Sequence, residues 1–312
     1  MILSASRRTD IPTFFAQWFM RRLRAGFVHV RNPMNASQVS EVPLTPRNVD
    51  CIVFWTKDPL PLMAYLDEID GMGYPYYFQF TVTPYGKDIE GNVRDKAEIF
   101  RTLHALSERI GKMRVVPRYD PVLLTDRGPC PYTVDFHVRA FRKFCEAAEG
   151  CAEKAVVSFF DDYRKFAANV KTTGMRAPTE NEMHTLAEGF AAIALQHGLG
   201  LETCAEAADL AKFGIGHAKC IDGDLIERIL GGPIAGKGTK DGNRAHCGCM
   251  KSVDVGQYDT CVRQCLYCYA NAGRRKAFEN YENHSPESAL LAGESAAVVR
   301  QRNEKDTRSL KI

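Results

Sequence analysis

Short runs of β-branched and aromatic residues alternate along this chain with segments of helical periodicity, and that alternation restricts the fold more than any other feature. Runs at 2–4, 51–55, 76–82, 114–119, 155–160 and 200–203 have strand length and strand composition. Between them, 12–25, 60–68, 94–109, 133–148, 162–169 and 180–197 place apolar residues at helical spacing. Asp10 precedes the first helical segment as an N-cap, with Pro12 in its first turn. Strands separated by helices pair in parallel and are covered on both sheet faces. The number of units predicts an α/β fold, a complete or partial (β/α) TIM-like barrel, over a small doubly wound sheet. Residues 1–300 are expected to form one domain, with the cysteine-rich part at about 204–270 inside it and 301–312 as a flexible tail.

A barrel gathers the polar residues that follow its strands around one mouth. Here those residues are Ser4 and Ser6, Thr56 and Lys57, Thr81 and Thr83, Arg118 and Asp120, Ser158, and Glu202 with Cys204. Further on, the glycine-rich basic stretch 231–244 reads as a mobile loop and does not meet the P-loop spacing. A short β run at 252–255 follows, then helical patterns at 270–280 and at 285–299, the last with Pro286 near its start.

No apolar stretch reaches the ~20 residues of a membrane span, and the N-terminus lacks the order of a signal peptide. A cytoplasmic location is expected. There, eleven cysteines do not form a disulfide framework. A formal charge of +3 neither requires nor excludes nucleic acid.

Seven of the eleven cysteines fall after residue 200. Cys261, Cys265 and Cys268 have the spacing C-x3-C-x2-C within eight residues, so one loop can present all three. Three thiolates can hold three irons of a [4Fe-4S] cube and leave the fourth open for a ligand. A structural zinc site is the other reading, because Cys265 and Cys268 make a C-x2-C hook that Cys261 or the Cys247–Cys249 pair can complete. Cys204, Cys220, Cys247 and Cys249 make a second set, suited to another [4Fe-4S] cluster or to zinc.

The run Y-x-x-C-x3-C-x-Y-C-Y-A at 258–270 resembles the cluster loop of radical S-adenosylmethionine enzymes, especially the branch containing spore photoproduct lyase. Phe54-Trp-Thr-Lys57, Phe80-Thr-Val-Thr83 and Val115-Val-Pro-Arg118-Tyr-Asp120-Pro121 resemble later motifs of that branch. Their order implies a circular permutation that carries the cluster loop to the C-terminal region. Over nearly its whole length the chain is also similar to an uncharacterised bacterial group, the domain of unknown function 1848 family. That similarity includes Ser4-Ala-Ser-Arg-Arg-Thr-Asp-Ile-Pro12, Arg31-Asn-Pro33, Thr203-Cys204-Ala-Glu206, Cys220-Ile-Asp222 and the terminal cysteines.

The radical-enzyme resemblance implies an enzyme with a [4Fe-4S] cluster and S-adenosylmethionine, generating a 5′-deoxyadenosyl radical that abstracts hydrogen from a substrate. Cys261, Cys265 and Cys268 become the catalytic cluster ligands. Lys57 and Thr83 become polar cofactor contacts, together with Thr81, Ser4, Ser6, Arg118 and Asp120, and Tyr269 lies near the adenine. The implied partners are a low-potential electron donor such as ferredoxin or flavodoxin, and a small-molecule, peptide or nucleic-acid substrate, with no membrane. The alternative is a nonradical iron–sulfur or zinc protein with a structural or electron-transfer role, associated in one version with nucleic acid.

Overall fold

The main sheet has eight parallel strands in the computed structural model, which describes residues 1–127, 131–161, 167–241, 247–293 and 298–300. In chain order they are β1 Ile2–Ala5, β2 Cys51–Thr56, β3 Tyr76–Thr81, β4 Val115–Val122, β5 Lys154–Phe159, β6 Gly200–Thr203, β7 Gly216–His217 and β8 Val253–Asp254. In space they run β7-β6-β5-β4-β3-β2-β1-β8, every neighbouring pair parallel. Among the described residues no ladder joins β7 to β8, so the sheet has a seam there.

Alternation along each strand sorts residues to two faces. Leu3, Ile52, Phe54, Tyr76, Phe78, Val115, Tyr119, Ala155 and Val157 join the large core beneath the helices. Ile2, Cys51, Val53, Tyr77, Val116 and Val156 fill a second core on the other face, with Ala218, Ile221 and Leu225. That face is concave. Tyr77 and Gln79 of β3 both donate to the carbonyl of Cys220 just beyond β7, at 2.7 and 2.8 Å. Four strand steps of ~4.8 Å would hold these segments ~19 Å apart on a flat sheet. The curl makes the fold consistent with a TIM-barrel-like arrangement.

The covering helices Lys96–Ile110, Val134–Ala148 and Glu180–Gln196 lie where periodicity puts them. Each has a side-chain N-cap: Asp95, Thr133, and Thr179 in a capping box with Glu182. The helices expected at 12–25 and 60–68 are each broken in two, into Ile11–Phe14 and Ala16–Ala25, and into Leu60–Met63 and Leu66–Gly71. Of the helix expected at 162–169, residues 162–166 lie outside the described residues, and helix Ala167–Thr173 takes up its end. A helix at Gly223–Leu230, capped by Asp222, occupies the start of a region whose glycine-rich part reads as loop. Among the described residues no helix is long and apolar enough to cross a membrane.

The helix expected at 285–299 is corrected. Residues 285–293 are turns and bends, and Val298–Arg300 is a strand parallel to Val39–Pro43, itself antiparallel to Phe27–Arg31. Helix Ala16–Ala25 captures the backbone instead: Trp18 donates to the carbonyl of Ser288 at 2.8 Å and Arg22 to that of Glu287 at 3.1 Å. Those carbonyls are then turned toward a neighbouring helix, and tertiary contact overrides the helical propensity of Glu287, Ala289, Leu290 and Leu291. The tail expected from 301 lies outside the described residues.

Candidate metal and cofactor centre at the strand mouth

The segment after β8 lies across the C-terminal ends of the sheet and carries Cys261, Cys265 and Cys268. It is fastened at many points. The backbone of Cys265 bridges to Glu90, and Leu266 donates to Ile89 at 3.0 Å. Arg263, between the first two cysteines, is buried; it reaches Asp10 at 3.2 Å and Thr13 at 2.6 Å. Asp10, expected only as a helix cap, also accepts from the Thr56 hydroxyl at 2.7 Å and the Lys57 amide at 3.1 Å. It therefore ties the end of β2 to the cysteine loop. Asp259 and Gln264 have left-handed backbones, φ 57° and 61°, and for glutamine that region is sparsely populated. The surrounding bonds hold Gln264 there and set the directions of Cys261 and Cys265 on either side.

Cys261 is close enough to couple electrostatically with both Cys265 and Cys268. Burial raises Cys261 and Cys265 to about 12, opposed by Arg263 and, at Cys265, by Lys57. Arg263, buried, and Lys57, half-buried, are cations of the kind that would offset the charge of an anionic metal–sulfur group. The donor set and its surroundings fit an iron–sulfur cluster. Among the described residues, no group of three or more His, Cys, Asp or Glu side chains is already gathered as a metal site.

Lys57 is half-buried beside this loop. Its ammonium meets Glu90 at 2.8 Å and Thr83 at 3.2 Å, and Thr83 donates to Glu90 at 2.6 Å. Lys96 approaches the other Glu90 oxygen at 2.6 Å, and the Tyr267 hydroxyl also donates to this carboxylate. Burial works to raise the Glu90 carboxyl, but Lys57 and Lys96 outweigh it and hold it well below the usual range. Two ammoniums share one carboxylate: burial opposes the charge of both, Glu90 leaves Lys57 raised, and the repulsion of Lys57 helps leave Lys96 lowered. Sequence alone did not single out Glu90, which sits in an aperiodic loop.

Ser4 and Ser6 both face Asp254. They donate to Asp254 at 2.9 and 2.6 Å, and the amides of Arg7 and Gly256 donate to the same carboxylate at 2.8 and 3.0 Å. The structure thus puts both serines in the joint between β1 and β8. Tyr269 is 42% exposed and donates to the carbonyl of Arg7 at 2.9 Å. Thr81 is half-buried at the end of β3.

Arg118 and Asp120 stand at the middle of the mouth. Arg118 is buried and donates to Asp120, to Gln79 at 3.1 Å and to the sulfur of Cys220 at 2.9 Å. Its guanidinium also lies 5.5 Å from the Trp55 ring. Burial opposes its charge, and Cys220, Asp120 and Cys204 together outweigh that burial. Asp120 also accepts from Ser158 and lies in the electrostatic reach of Lys57. The indole nitrogen of Trp55 is buried with no partner among the described residues, an unpaired donor on the concave face. Glu202, expected at the mouth, is held by Lys154 at 2.9 Å and belongs to the opposite end. There a cleft of about 310 Å³ is lined by Lys154, Glu202, Asp222 and Arg228. That end of a (β/α) fold bears on stability; active sites occupy the other.

Two members of the second cysteine set meet at the seam. Cys204 directly follows β6, and its sulfur lies 3.2 Å from that of Cys220, beyond β7. Cys249 is near enough to couple with Cys220 and with Cys247, and its sulfur accepts from the Ile221 amide at 3.4 Å. Hydrogen bonding from Cys249 lowers Cys247 to about 7. Ala205, next in chain to Cys204, is left-handed at φ 54°, and beyond it Glu206 turns back to accept the Phe159 amide at 2.8 Å. Burial, with Asp161 and Asp120 nearby, raises Glu206 to about 7.

Of the residues singled out from sequence, the structure brings Lys57 and Thr83 to the cysteine loop and Arg118 to the second cysteine set. Asp120 bridges the two electrostatically. No curated protein and no solved structure matches the chain. A family model does, from residue 2 to residue 270: the chain belongs to the family described as Domain of unknown function (DUF1848).

Proposed function

We propose that this protein is an iron–sulfur enzyme of the radical S-adenosylmethionine kind, with Cys261, Cys265 and Cys268 as the cluster ligands. One observation carries the reading. β8 is an edge strand paired with β1, and it hands a three-cysteine loop directly onto the C-terminal ends of the parallel strands. An open sheet whose seam precedes the cluster strand is the arrangement a permuted barrel of this kind would have. When bound, the cluster and its sulfonium cofactor supply one-electron cleavage of a carbon–sulfur bond and hydrogen-atom abstraction.

The chain's own residues do the positioning. Arg263 and Lys57 offset negative charge at the loop, and Glu90 fixes where the Lys57 ammonium points. Trp55 offers an unpaired N–H, and Thr81 a half-buried hydroxyl, to the cofactor or substrate. Arg118, Asp120 and Ser158 form a connected polar floor that can orient a substrate by hydrogen bonds. Glu206, which accepts the Phe159 amide at 2.8 Å, adds a carboxylate at the edge of that floor. The reading places the protein in the reducing cytoplasm with a ferredoxin- or flavodoxin-like electron donor. The substrate is a small molecule, peptide or nucleic acid.

The test is anaerobic reconstitution with iron and sulfide, followed by electron paramagnetic resonance of the reduced protein. The reading expects about four irons and four sulfides in the loop cluster, and a cluster signal that changes when S-adenosylmethionine is added. In Cys265→Ala that signal should be missing. A loop cluster whose signal ignores S-adenosylmethionine would instead point to electron transfer or structure.

A further inference from the structure

We propose that Cys204, Cys220, Cys247 and Cys249 form a closed four-thiolate site for a single zinc ion, and that this ion fastens the seam between β7 and β8. The inference is independent of the cluster reading at the loop, and neither requires the other.

Spacing distinguishes one ion from a cube. A tetrahedral zinc with bonds of ~2.3 Å sets neighbouring sulfurs ~3.8 Å apart. A four-iron cube spreads its four thiolates further, because each caps a different iron. Cys204 and Cys220 are 3.2 Å apart, and Cys249 lies close enough to couple with both Cys220 and Cys247. Small side-chain rotations turn such a set into a tetrahedron, whereas a cube would require the four segments to part.

The surroundings supply what a thiolate site needs. Zinc with four thiolates has a net charge near −2, and the buried Arg118 guanidinium lies against it, 2.9 Å from Cys220. The Ile221 amide donates to the Cys249 sulfur at 3.4 Å. Such N–H donors to sulfur orient and stabilise metal-bound thiolates. Each thiol that becomes a ligand releases its proton to solvent, and no electron is transferred.

The position gives the site its purpose. Cys204 follows β6, Cys220 follows β7, and Cys247 and Cys249 lead toward β8. One ion would therefore bind both sides of the one interruption in the strand order. Across this region the Met250 amide donates to the Ile221 carbonyl at 3.0 Å, and Arg7 pairs with Asp241 at 2.7 Å.

The experiment uses the full chain carrying Cys261→Ala, Cys265→Ala and Cys268→Ala, which removes the loop thiols from the count. Metal analysis after growth with zinc should find about one zinc per chain, and X-ray absorption should show a sulfur-only shell at ~2.3 Å. Adding Cys220→Ser should reduce zinc occupancy or affinity at least tenfold. If that variant does not fold, hydrogen exchange on the parent provides the second readout: a zinc chelator should speed exchange at 216–222 and 249–254 more than tenfold. Zinc absent from the triple variant, iron with sulfide in its place, a Cys204–Cys220 disulfide, or exchange indifferent to the chelator would each overturn the proposal.

Discussion

The carboxylate of Glu90 meets the ammonium of Lys57 at 2.8 Å with no side-chain surface of Glu90 exposed, and the backbone of the same glutamate bridges to Cys265. The pair therefore couples the end of β2 to the cysteine loop. Removing one partner of a buried ion pair strands the other charge, at a cost of ~3–5 kcal/mol. Glu90→Ala should lose about that much stability in urea titrations, and amide exchange across 262–268 should accelerate. In the Lys57→Met background the same change should cost less, because one of the two ammoniums is gone. A loss unchanged by Lys57→Met would show that the two residues act separately.

Gly256 faces the β1 end at very short range. A Cβ added there would lie 2.0 Å from the Ser6 hydroxyl oxygen and 2.6 Å from its Cβ. Overpacking of this kind costs ~1–3 kcal/mol, so Gly256→Ala should lower the melting temperature. Ser6→Gly removes both contacts and should reduce that penalty in the double variant. Equal penalties in the two backgrounds would place the strain elsewhere.

His137 supplies a pH dependence away from the cysteines. It is fully buried, accepts from Tyr119 at 2.8 Å and donates to the Leu123 carbonyl at 2.8 Å. Burial lowers its pKa from 6.5 to about 4, against the smaller raising effect of the Leu123 bond. The unfolded chain therefore takes up the proton first as pH falls. The contribution is whole above about pH 6.5 and is lost between there and about pH 4. In total it amounts to ~3 kcal/mol. Urea titrations from pH 7.5 down to 4.5 should show a slope that His137→Gln flattens; an unchanged slope would assign the dependence to other groups.

Arg118 holds three different acceptors with one planar fork: Asp120, Gln79 and Cys220. Lysine brings a point charge and cannot reproduce that geometry. Arg118→Lys should destabilise the protein by ~2–4 kcal/mol, as for other disrupted buried charge networks. It should also weaken zinc retention at the seam cysteines. Wild-type stability and zinc content in this variant would reduce the guanidinium to a spectator.

The strands were legible because each carries an apolar face toward the helices and a mixed face inward; the run at 200–203 coincides with β6. The polar mouth followed from the same alternation. What could not be read was pairing between distant segments. Ser4 and Ser6 look like free donors until β8 is known to bring Asp254 beside β1. That Lys57 pairs with Glu90 is likewise visible only once the loop carrying Glu90 folds over it. The hairpin Phe27–Arg31 and Val39–Pro43 is only half buried, so its alternation is weak. At 287–291 helix-forming residues yield to Trp18 and Arg22, which capture their backbone from another element. Cysteine spacing exposed both thiol sets, while only the fold shows that the second straddles the seam.

The central claim is radical chemistry at the loop cysteines, and its most direct test is product analysis. Reconstituted protein, reduced without oxygen in the presence of S-adenosylmethionine, should release 5′-deoxyadenosine and methionine. Cys261→Ala, Cys265→Ala and Cys268→Ala should each abolish that release, while Cys220→Ser should leave the loop cluster able to support it if the seam still folds. Release that persists without the loop cysteines, or a fully loaded cluster that yields none, would contradict the account.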